Sequence, residues 1–260
     1  MFDKEINEIL KLSGIDILNE ISLSGYLERS RNLKNMLFHG TSLFNAYKIF
    51  ESDLIVGYTE TTPVNGKSYI GVSTSRNFDY SASFALQHSD EYYFKNYYLD
   101  NTFNPVVVFC FNKDNLKSKY KIVPYDYNST NDTFYGKRTE QEEVVVGNIK
   151  NIKNITEKIV MNRDALTLFQ YGAIGEFLIK RYYFFNNKED EFYDDIFNIA
   201  IEENLTYDED KDAYITSAGE TLYPDDIYNI GLEKMIQKMF PKMNEFYEFL
   251  KDKKFEIYNN

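Results

Sequence analysis

An α+β fold is expected from the order of segments along this 260-residue chain. Short apolar runs bounded by turn residues dominate residues 36–161, and helical periodicity dominates residues 162–260. The pattern thus changes from strands to helices near residue 161, which points to an α+β fold. Three parts are expected: a helical segment over 1–35, a strand-rich domain over 36–161 and a helical lobe over 162–260.

The first part has Ile6, Ile9, Leu10, Ile15, Ile17, Leu18 and Ile21 at helical spacing. Met36-Leu37-Phe38 reads as a strand ending in His39-Gly40-Thr41-Ser42, with Ser42 placed to cap a helix from Leu43 to Phe50. A polar loop over Thr59–Ser68 contains Pro63 and the turn pair Asn65-Gly66, and a strand comes next over Tyr69–Ser75. Asn77 or Asp79 can then cap a helix through Ala85 or Leu86.

Val106 to Phe111 is apolar at every position, the mark of a strand buried on both faces. Lys119–Tyr127 reads as another strand and Asn128–Thr139 as a polar loop opening into Glu140-Gln141-Glu142-Glu143-Val144. A last strand is expected near Lys158–Met161. Helices are expected over Asp164–Phe185, Asp190–Leu205 and Pro224–Leu250, with an acidic, turn-rich stretch from Thr206 to Leu222. Pro224 suits a first helical turn, and Asp225 and Asp226 complement the helix dipole there.

Composition removes several function classes. Hydrophobic residues are 43% and charged residues 27%, so the chain has enough apolar surface to build a core and is not disordered throughout. No run of 18 apolar residues occurs, which argues against a membrane span, and the mixed-charge start argues against a secretory signal. A cytoplasmic setting is expected. The single cysteine, Cys110, lies in an apolar strand, which excludes a disulfide framework and a cysteine-rich zinc site. Tyr (23 copies) and Phe (21) are abundant along with Asn and Lys, all with A/T-rich codons, so coding bias explains them more simply than base stacking does.

The net charge is −12, unevenly spread. Residues 1–160 carry 18 basic and 20 acidic side chains; the remainder carries 11 and 21. Such a chain repels phosphate polymers at long range, which favours a protein partner over DNA or RNA. The acidic lobe could dock a basic target or inhibitor, or simply be solvated.

Three short motifs carry the chemistry: His39-Gly40-Thr41, Ser73-Thr74-Ser75 and Glu140-Gln141-Glu142-Glu143-Val144. Each is weak alone, and their order and strand context give them weight. Together they resemble the ADP-ribosyltransferase superfamily over roughly residues 36–160. LFHGTS is similar to the His-Gly-Thr/Ser form of diphtheria-toxin-like and poly-ADP-ribose-polymerase-like members. YIGVSTSRNFDYSASFA resembles the second segment, and RTEQEEVVVG the Glu-x-Glu or Gln-x-Glu element. The chain mixes two branches, because His on the first strand usually accompanies a Tyr in the second motif, and Ser-Thr-Ser usually accompanies an Arg.

The resemblance implies a split β-sandwich and an NAD-dependent mono-ADP-ribosyltransferase needing no metal, since nicotinamide is already a cationic leaving group. A toxin, a phage-encoded modifier or a phage-defence effector are the settings it suggests. An NAD glycohydrolase and a catalytically silent binding module are the alternatives. A carboxylate beside the ribose stabilises the oxocarbenium ion as nicotinamide departs. Alternation along a strand puts Glu140 and Glu142 on one face and Gln141 and Glu143 on the other. Glu142 is the favoured catalytic acid, with Glu140 handling the acceptor; Glu143 with Gln141 stays open. The resemblance further implies that His39, Gly40 and Thr41 contact NAD, that Ser73, Thr74 and Ser75 hold the acid, and that Phe84, or Tyr80, stacks on nicotinamide. Arg76 is a candidate for the pyrophosphate.

Overall fold

The computed structural model describes residues 35–60, 68–88, 104–124, 142–201, 205–253 and 256–258. The expected helix over 1–34, the polar loop over 128–139 and residues Glu140 and Gln141 lie outside them. The fold is mixed α and β, built on a largely antiparallel sheet.

The strand-rich part runs β1 (Met36–Ser42), α1 (Leu43–Ser52), β2 (Leu54–Ile55), β3 (Thr59–Glu60), β4 (Ile70–Ser75), α2 (Phe78–His88) and β5 (Val106–Asn112). It continues through α3 (Lys113–Lys117), β6 (Ile122–Pro124), β7 (Glu142–Val146), β8 (Ile149–Lys150), α4 (Ile152–Ile155) and β9 (Thr156–Asn162). Then come α5 (Arg163–Gln170), α6 (Ile174–Phe185), a 3-10 turn (Glu189–Glu191) and α7 (Phe192–Ile201). The small strands β10 (Thr206–Asp208), β11 (Ala213–Ile215) and β12 (Thr221–Leu222) precede α8 (Pro224–Met239), α9 (Met243–Asp252) and β13 (Glu256–Tyr258).

Eight strands form one sheet in the order β13-β9-β5-β1-β4-β7-β6, with β3 added on β4. Neighbours pair antiparallel except β13, which runs parallel to β9. β1 is paired with β5 along its whole length but with β4 only at Phe38↔Ser75. The sheet is thus two well-knit halves, β13-β9-β5-β1 and β4-β7-β6, joined at a narrow seam.

The expected buried strand is found: Val106 through Phe111 are all at most 2% exposed. Phe109 and Phe111 enter the main core with Leu37, Ile159 and Met161, while Val108 and Cys110 face α2 with Phe38, Phe78 and Ala82. The main core takes in α1 and α5 through α9, so it continues without a break from one side of residue 161 to the other.

The other face carries α2, which crosses β1 so closely that a Cβ on Gly40 would sit 2.0 Å from the Ser81 carbonyl oxygen. Close helix packing, rather than an unusual backbone angle, is what requires glycine here.

The helix caps read from the sequence are found, whereas several element lengths are not. Ser42 caps α1, its side chain accepting from the Asn45 N–H at 3.2 Å. Asn77, not Asp79, serves α2, its Oδ1 accepting from the Tyr80 N–H at 3.3 Å. The expected 164–185 helix is broken into α5 and α6 at Gly172, whose φ of +66° only glycine adopts freely. The expected 224–250 helix breaks after Met239, with Phe240 alone between that residue and Pro241. The turn-rich stretch 206–222 pairs into a small three-stranded sheet; of the strand read at 119–127, residues 119–121 lie in a turn and bend before β6, and 125–127 lie outside the described residues. Among the described residues no helix is long and apolar enough to cross a membrane.

Candidate active site

The first two motifs meet at the seam, and the described part of the third, Glu142-Glu143-Val144, pairs with the other side of β4. His39 is half-buried on β1, and its Nδ1 lies 2.9 Å from the carbonyl oxygen of Ser73 on β4. A carbonyl only accepts, so Nδ1 carries the proton and donates, leaving Nε2 as a bare acceptor. Burial pulls the imidazole pKa below its usual 6.5, although the bond to Ser73 opposes this. The ring is therefore neutral near pH 7.

This has a measurable consequence. Unfolded, the imidazole takes up its proton near pH 6.5; folded, it resists until a lower pH. The unfolded state then binds more protons, so stability falls as pH drops through 6.5 and is unaffected by this group above about pH 7.5. The expected slope is at most about 1.4 kcal/mol per pH unit. Urea melts of wild type and His39→Gln between pH 7.5 and 5.5 check it: the variant should lack this part of the slope, and parallel curves would refute the assignment.

On β4, Thr74 and Ser75 are buried while Ser73 is half-buried. Thr74 Oγ1 donates to the Glu143 carbonyl at 2.6 Å, and Ser75 Oγ accepts from the Asn77 N–H at 2.9 Å. The β4–β7 register sets Ser73 opposite Val144, Thr74 opposite Glu143 and Ser75 opposite Glu142. Glu142 thus occupies the position across from Ser75; its side chain and all of Glu140 lie outside the described residues.

Glu143 is only 4% exposed. Its Oε1 is held by Lys113 Nζ and by Arg76 Nε at 3.1 Å, while its Oε2 is buried with no hydrogen-bond partner among the described residues. Lys113 opens α3 directly after β5, and no strand motif announces it. Arg76, read from sequence as a candidate for a pyrophosphate, spends its Nε on Glu143.

Gly40 and Thr41 continue β1 beyond His39 and are half-buried. Gly40 is pressed beneath α2, where Ser81 Oγ donates to the Phe38 carbonyl at 3.1 Å. Tyr80 and Phe84 stand one turn apart on α2 with ring centroids 6.4 Å apart, and Phe84 is 43% exposed. His39 meets Ser73 on β4, and β4 in turn pairs with the β7 opening. A groove of about 220 Å³ among Gly172, Ile236, Met243 and Tyr247 shares no residue with this site. Among the described residues no group of three or more His, Cys, Asp or Glu side chains is placed to hold a metal ion. No family model, curated protein or solved structure matches the chain.

Proposed function

We propose that the chain is an NAD-dependent mono-ADP-ribosyltransferase with an ADP-ribosyltransferase-like split sheet, transferring ADP-ribose to a macromolecular acceptor. The observation that carries this reading is the contact of His39 with Ser73 at the seam of the two half-sheets, next to paired glutamates opposite Thr74 and Ser75. The strand order sets His39, Ser73-Thr74-Ser75 and Glu142-Glu143 on three neighbouring strands.

In this reading NAD lies along the seam, where the bare Nε2 of His39 accepts from a ribose hydroxyl. The bond between ribose C1′ and the nicotinamide nitrogen breaks, and nicotinamide leaves with the electron pair. The positive charge spreading over C1′ and the ring oxygen is stabilised by the Glu142 carboxylate. The acceptor nucleophile then attacks C1′ and gives its proton to Glu140.

Glu142 is preferred over Glu143 on electrostatic grounds. A carboxylate already neutralised by two cations has little left to offer a developing cation, and Glu143 is so neutralised. Phe84, with Tyr80 behind it, would cover the nicotinamide ring. A protein acceptor is favoured because a net charge of −12 opposes nucleic-acid approach. The acidic lobe is a candidate surface for a basic partner.

The test is incubation of the purified chain with NAD labelled in its adenylate phosphate, alone and with lysate. Label that becomes macromolecular and is freed by protease is the expected result. Release by nuclease would move the acceptor to nucleic acid, and free ADP-ribose alone would make the enzyme a glycohydrolase. Unconsumed NAD in both arms would leave a binding module and overturn the enzymatic reading.

A further inference from the structure

The β7 opening poses a problem that the hydrophobic pattern does not solve. Glu142 and Glu143 are followed by Val144, Val145 and Val146, three apolar residues without alternation. Nothing in that run selects which of two adjacent glutamates faces the core, and a one-residue slip would exchange their faces. The choice is made by charge. Lys113 Nζ, its side chain 15% exposed, and Arg76 Nε both close on Glu143 Oε1.

Lys113 is itself well anchored. Its N–H donates to the Asn35 carbonyl at 2.8 Å, and Asn112 just before it caps α3. The cation therefore projects from the rigid junction of β5 and α3 onto a strand across the sheet, beyond β1 and β4. The Thr74 hydroxyl holds the backbone of the same glutamate from β4.

We infer that Lys113, seconded by Arg76, is a positioning residue for the proposed reaction. It holds Glu143 on the core side of β7 and so fixes the register that sets Glu142 opposite Ser75. The inference rests on the reading of Glu142 as the acid. A buried ion pair is a weak source of stability, since an apolar pair of similar volume often serves as well, but it is an effective way to fix a register. This pair pins the residue beside the proposed acid, where chemistry is most sensitive to misplacement.

The experiment compares kcat and KM for NAD cleavage, with thermal melting, in wild type, Lys113→Met, Lys113→Arg, Lys113→Met with Glu143→Leu, and Glu142→Gln. Lys113→Met should lower kcat about a hundredfold, the cost of an ångström-scale displacement of a reacting group. Its KM should stay within about twofold, because NAD binding is not what is lost. Lys113→Arg should recover most of the rate.

The double variant tests whether Lys113 acts through residue 143. A leucine there is drawn to the core side by its own burial and restores the face, so the double variant should melt near wild type and regain most of the kcat. Lys113→Met, assayed well below its melting temperature, should keep the low kcat with its KM unchanged, a split that a merely structural pair would not produce. Wild-type kcat in Lys113→Met, or a kcat that stays low in a stably folded double variant, overturns the positioning role alone. A wild type that leaves NAD intact removes the reading on which it rests, and turnover surviving Glu142→Gln removes the assignment of the acid; either overturns this inference too.

Discussion

Glu142→Gln is expected to lower NAD cleavage about a thousandfold while leaving the melting temperature and NAD affinity close to wild type. The magnitude comes from one unit charge about 4 Å from a ribosyl cation. At the effective dielectric of a partly open site, that interaction is about 4 kcal/mol. Each 1.4 kcal/mol is about tenfold in rate. Glutamine keeps the size and hydrogen-bonding capacity of the side chain and removes only the charge, so the loss falls on kcat rather than on KM.

Glu143→Gln should behave differently, because it strips the counterion from Lys113 and Arg76 in a buried setting and so lowers the melting temperature. Single-turnover assays beside thermal melts distinguish the two. Undiminished cleavage in Glu142→Gln together with none in Glu143→Gln would transfer the role to Glu143.

A chain ending at Met161 is expected not to fold. The sequence places a boundary there, where strands give way to helices, and a lone strand-rich domain looks separable on that basis. The packing says otherwise. Phe177, Leu178 and Ile179 of α6, Ile196 of α7, and Phe246 and Leu250 of α9 share one core with Leu37, Phe109 and Met161. Tyr47 of α1 meets Phe240 and Phe246 edge-on, with ring centroids 5.3 and 5.5 Å away.

Burying each such side chain contributes about 1.5–3 kcal/mol. Removing six costs about 9–18 kcal/mol, as much as the whole stability of a typical domain, about 5–15 kcal/mol. The truncated chain would also lose β13 and leave β9 as an open, strongly apolar edge. Circular dichroism and size exclusion of residues 1–161 should report an aggregating chain without a cooperative melt. A soluble, cooperatively melting fragment would show that the helices are dispensable to the sheet.

The elements read correctly from sequence are those governed by neighbours a few residues apart. Ser42 and Asn77 cap their helices because a side-chain oxygen reaches an N–H three residues on. The run Val106–Phe111 could only be a strand buried on both sides. The break at Gly172 was also written locally, in a glycine with a second one three residues later, but helical periodicity on either side concealed it.

Lys113 was not legible. It stands 30 residues from Glu143 in a stretch with no motif, and only the pairing of β5, β1, β4 and β7 puts the two in contact. The parallel β13–β9 pair is hidden for the same reason, with nearly 100 residues between its strands.

By itself the sequence determined where helices begin and that a hydroxyl triplet closes one strand and a glutamate pair opens another, whereas the strand expected to end at Phe38 runs on through His39 to Ser42. Those are consequences of side-chain period and capping, which act within one or two turns of chain. Only the tertiary structure decided that β1 and β4 touch at one pair, that the imidazole bridges to Ser73 there, and which glutamate is claimed by cations. Strand order and buried charge pairing depend on contacts between residues far apart in the chain, and no local pattern encodes them.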